Sequence, residues 1–106
     1  MDLLEKLIAL RSEMENFYSA DFSSEQAEEA ENMRIKHQIA DLIIMAHERN
    51  ATEISRQALY LLAENTGCME DYLIFQKITN RLLIKGIFSQ KEIDVATKQS
   101  SISRWI

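Results

Sequence analysis

The sequence predicts an all-α domain of four or five helices, built as a helical bundle or as a dimer of helical hairpins. Three observations carry this expectation. The 106 residues contain no proline and only two glycines, Gly67 and Gly86, too few for the turns of a β-sandwich or barrel. Apolar residues recur every three or four positions along most of the chain, the period of a helix with one buried face. Helix-start signals, serines followed three residues later by Glu or Gln, separate these segments. Hydrophobic residues make up 46% and charged residues 27%, a globular balance for one domain over 1–106, with residues 99–106 as a tail.

The first helix is expected over 2–19. Leu3, Leu7, Leu10, Met14 and Phe17 follow a 4-3-4-3 spacing, flanked by Leu4, Ile8 and Tyr18, the seam of a bundle helix. A second helix is expected over 24–48, after a capping box from Ser23 to Gln26. Its first turns carry Glu25, Glu28, Glu29 and Glu31. Farther on, Ile35, Ile39, Leu42, Ile43 and Ala46 share one face, with His37, Asp41 and Glu48 opposite.

Asn50 is placed as the cap of a third helix running to Asn65. Ile54, Ala58, Leu61 and Leu62 form one face, and Leu59, Tyr60 and Ala63 nearly the opposite one. A helix apolar on two sides is central to its bundle or lies at a subunit interface. A homodimer is therefore expected, with Leu4, Ile8, Leu59, Tyr60 and Ala63 at its interface. The fourth helix, over 68–85, packs through Tyr72, Phe75, Ile78, Leu82 and Leu83. Lys77, Arg81 and Lys85 recur every four residues as a basic stripe away from that face.

The most specific stretch is the corner after that helix. Gly86 suits the left-handed residue that ends a helix. Ser89 and Glu92 make a capping box, and Phe88 with Ile93 fit a hydrophobic staple. A fifth helix is expected over 90–99, and Trp105 is expected to pack back on the core.

Chemistry is sparse. Cys68 is the single cysteine, so an intrachain disulfide and a cysteine-based zinc site are both excluded, and a reducing, cytoplasmic compartment is expected. The start carries Asp2 and Glu5 rather than the basic and apolar segments of a secretory signal. No apolar run approaches the length of a membrane span. Neither histidine belongs to an E-x-x-H pair, and two isolated glycines cannot build a phosphate loop. No catalytic residue, cofactor or metal is assigned, and an enzyme is not expected.

Charge is the remaining clue. The net charge is −5, with five basic and twelve acidic side chains in 1–53 against seven and five in 54–106. Between Ser12 and Met33 lie seven acids and no Lys or Arg. If the first two helices form an antiparallel hairpin, Glu13 and Glu15 join Glu25, Glu28, Glu29 and Glu31 at its tip. The expected function is that of a small intracellular adaptor, chaperone-like or regulatory protein acting by protein–protein binding. The acidic residues meet a basic partner, or the Lys77, Arg81 and Lys85 stripe of a second copy. The alternative is a nucleic-acid-binding regulator that uses the helix–corner–helix from Lys77 to Lys98, against which the acidic balance weighs.

Overall fold

The computed structural model describes residues 2–98. Among them are five helices and no strand: α1 (Leu3–Ser19), α2 (Glu25–Glu48), α3 (Thr52–Glu64), α4 (Met69–Ile84) and α5 (Gln90–Thr97). The expectation for Trp105 lies outside the described residues. No described helix is long and apolar enough to cross a membrane.

The first hairpin forms as its seam requires. Leu3, Leu7, Leu10 and Met14 are buried on α1, and Ile35, Ile39, Leu42, Ile43 and Ala46 on α2. Asp2 caps α1 by accepting the Glu5 N–H at 2.8 Å. The cap of α2 is Ser24, whose hydroxyl accepts the Ala27 N–H at 3.1 Å, not Ser23 as the S-x-x-Q pattern suggested. Two adjacent serines offer the same chemistry one residue apart, and it is Ser24, extended at φ −161° and ψ 164°, whose hydroxyl meets the first helical turn.

The α2–α3 reversal corrects a second expectation. Asn50 does not cap α3; it ends α2. It takes φ 60°, its N–H donates to the His47 carbonyl, and the Ala51 N–H reaches back to Ala46 at 2.8 Å. This pair of bonds is a Schellman motif with Asn at the left-handed position, the non-glycine residue that tolerates it best. The cap of α3 falls to Ala51, which has no side chain to satisfy the first turn.

α3 is the central helix. Ala58, Leu59, Leu61, Leu62 and Ala63 are all buried, and its Ser55 hydroxyl donates to the Ile43 carbonyl of α2 at 3.1 Å. One side packs on α2. Across a groove of about 160 Å³, Leu59 and Tyr60 meet Phe88 and Val95 at α5. The expected interface role of Leu59 and Ala63 is therefore corrected: at 1% and 0% exposure they are covered within a single chain. Tyr60 is half-buried, and only Leu4 and Ile8 of that set are exposed.

The α4–α5 corner forms as read. Gly86 has φ 72°, its N–H donates to Leu83 and the Ile87 N–H to Leu82, both at 3.0 Å, a second Schellman motif. Ser89 and Glu92 exchange both bonds of the capping box, and Phe88 and Ile93 are buried. A Cβ at Gly86 would meet nothing within 4 Å, so Gly86→Ala is opposed by backbone conformation alone. It is expected to cost about 1 kcal/mol, and Ser89→Ala about 1 kcal/mol through the lost cap. Urea denaturation of the two variants checks this; unchanged midpoints in both would contradict the corner.

Candidate functional site

The acidic residues separate into three environments. The first is a clamp. Arg34 of α2, one residue beyond the acid-only stretch, donates to Glu13 of α1 at 3.0 Å and to Glu31 through Nε at 3.0 Å. The clamp ties the two helices of the hairpin and offsets one of the two negative charges it engages. Hydrogen bonding to Arg34 holds the Glu31 carboxyl below its ordinary range, and the bonds to Glu31 and Glu13 raise the Arg34 guanidinium. Glu15 stands apart on α1, exposed.

The second environment is a buried pair that the sequence reading did not find. Lys36 is 1% exposed, on α2 between Ile35 and Ile39, and its Nζ lies 2.5 Å from Asp71 Oδ1 at the start of α4. Asp71 also accepts from Asn32 Nδ2 at 2.9 Å and from the Gly67 N–H at 3.3 Å. One carboxylate thus joins α2, the α3–α4 loop and the first turn of α4. Burial by itself would raise the Asp71 pKa. Hydrogen bonds from Lys36 and Asn32, the Lys36 charge and the Gly67 N–H outweigh burial and leave it lowered.

The third environment is an open cleft of about 390 Å³ where the end of α1, the start of α2 and the start of α4 meet. Phe17 and Tyr18 supply an aromatic wall, and Glu25, Glu28, Glu29, Glu70 and Asp71 supply carboxylates. The wall is fixed by ring contacts: Phe17 lies 5.5 Å from Tyr18, edge to face, and 5.4 Å from Phe22. The Tyr18 hydroxyl has a raised pKa, first from partial desolvation and then from the negative charge of Asp71. Arg34 is engaged by the clamp and Lys36 by Asp71, so Glu25, Glu28, Glu29 and Glu70 have no ion pair among the described residues.

Such a cleft suits a cation on an apolar stem. A Lys or Arg side chain would lay its methylenes on the rings and its charge among the carboxylates. Cys68 lines the cleft as an exposed thiol, and no histidine is among the described lining residues. Among the described residues, no three His, Cys, Asp or Glu side chains converge to hold a metal ion.

Of the residues singled out from the sequence, Glu25, Glu28 and Glu29 come together here, while Glu13 and Glu31 are held by Arg34. Lys77, Arg81 and Lys85 lie exposed along α4, with Arg81 leaning to within 4.0 Å of Asp41 on α2. Phe17, Tyr18, Cys68 and Glu70 join the cleft unannounced. Comparisons with protein-family models, with curated protein sequences and with solved structures find no match for this chain.

Proposed function

We propose that this chain is a small adaptor or regulatory protein that acts by binding rather than catalysis, and that it takes a basic segment of a partner protein into the cleft between α1, α2 and α4. The observation that supports this reading most is the juxtaposition of four carboxylates without ion-pair partners and an aromatic wall. Phe17 also packs against the core; the Tyr18 ring, 62% exposed beside the acids, is the one that a merely solubilising surface has no use for. The charges would speed encounter and select basic partners, and the rings would hold the side-chain stems.

The test is binding of a fluorescent lysine-rich peptide at low salt, with a glutamate-rich peptide as control. The lysine peptide is expected to bind and to weaken as salt is added. Replacing Glu28 and Glu29 together by Lys is expected to weaken it about tenfold or more, equivalent to roughly 1.4 kcal/mol. Equal affinity for wild type and the double variant would reject the cleft as the binding site. Nucleic-acid binding through α4 and α5 is the second reading, supported by the exposed Lys77 and Lys85. Duplex DNA that binds in a salt-dependent way and is lost on Lys77→Glu would favour it instead.

A further inference from the structure

Two helices carry apolar side chains into water outside the cleft. On α1, Leu4 and Ile8 are 52% and 58% exposed; on α4, Leu73 and Ile84 are 53% and 87% exposed. Single exposed apolar residues are ordinary. Here each pair belongs to a helical stripe, and the charges around the two stripes are opposite. Leu4, Ile8 and Glu15 fall on one face of α1 by the 3.6-residue period, with Glu5 beside them. Leu73, Lys77 and Ile84 fall on one face of α4, with Arg81 and Lys85 beside them toward its end and one acid, Glu70, at its start.

These charges are largely unanswered within the chain. Glu5 and Glu15, like Lys77 and Lys85, have no ion pair among the described residues. Arg11, the base on the α1 stripe, is drawn to Glu64 at 3.9 Å, and Arg81 on the α4 side to Asp41 at 4.0 Å, which leaves Glu5 and Glu15 against Lys77 and Lys85. The two helices also match in length, with 17 and 16 residues, or about 25 Å each.

We infer that a second copy of this chain covers both stripes: α1 of each protomer lies along α4 of its partner, in a two-fold dimer with two identical seams. Electrostatics selects this pairing over the other symmetric ones. Packing α1 on its own counterpart would set Glu5 and Glu15 against themselves. Packing α4 on its counterpart would do the same to Lys77, Arg81 and Lys85. Only the exchange places acid against base while burying apolar side chains on both sides. The expected interface of Leu4 and Ile8 is kept, and its other half moves from α3 to α4. This inference does not depend on what enters the cleft.

The test uses light scattering on three full-length proteins. Wild type is expected at twice the chain mass of 12.3 kDa at micromolar concentration. A variant carrying Glu5→Lys and Glu15→Lys makes both stripes basic; a variant carrying Lys77→Glu and Arg81→Glu makes both acidic. Each alone is expected at the monomer mass. Mixed in equal amounts they are expected to return to the dimer mass, because both seams then pair opposite charges, and this return also shows that both variants are folded. A monomeric wild type overturns the inference. So does a dimer that survives either reversal, or a mixture that stays monomeric.

Discussion

Asp71→Ala is expected to destabilise the fold by about 3–5 kcal/mol, because it leaves a buried ammonium without its countercharge. Lys36 is 1% exposed, and beyond Asp71 its nitrogen finds no hydrogen-bond partner among the described residues. The substitution also strips the acceptor from Asn32 and from the Gly67 N–H. Lys36→Met should cost much less, since the charge goes and the stem stays, while Asp71 keeps two donors. Pairing Lys36→Met with Asp71→Leu should recover most of the loss, as apolar replacements of buried pairs commonly do. Urea denaturation gives the three values. An Asp71→Ala cost within about 0.5 kcal/mol, the range of ordinary surface changes, would show that the pair does not hold α4 in place.

The same carboxylate sets an acid limit. Its pKa is lowered in the folded chain, so the stabilisation is fully present above the unfolded value of about 3.9. It is lost as pH falls through the lower, folded value. Wild type is expected to lose stability in that acid window, and Asp71→Asn to lose this part of the pH dependence.

Leu62→Ala is expected to cost about 2–5 kcal/mol. Leu62 is fully buried on the helix that α1, α2 and α5 surround, where neighbours on several sides limit collapse into the vacated space. Leu59→Ala, one turn before Leu62 on the side of α3 that faces Phe88 and Val95 and 1% exposed, is expected to cost a similar amount in a variant held monomeric. A small cost at Leu59 under those conditions would mean that α5 does not cover that face.

What could be read from the sequence was local. Gly86, Ser89, Glu92 and the Phe88–Ile93 staple sit within eight residues, and their geometry follows from rules that operate at that range. The core faces of α1 and α2 followed from periodicity. Periodicity shows that Leu59 and Ala63 are apolar, but not that α5 returns to cover them, which depends on the path of the chain. Asn50 suits a helix cap and a left-handed helix end equally, and the tight α2–α3 reversal decides between them. Lys36 reads as a polar residue between isoleucines until Asp71 arrives from α4 to pair with it. At the candidate site the acids were legible as a cluster, but the split among them was not. Arg34 engages Glu13 and Glu31 in ion pairs, although both stay partly exposed. Phe17, Tyr18 and Glu70 become neighbours only when the start of α4 docks beside the hairpin tip.

Entry of a basic segment into the cleft is checked by mapping amide shifts in a nuclear magnetic resonance titration with the lysine-rich peptide at low salt. Saturable shifts are expected, centred on Phe17, Tyr18, Glu25, Glu28, Cys68 and Glu70, fading as salt is raised and absent with the glutamate-rich peptide. Shifts that bypass these residues, or none at all in wild type, would contradict it.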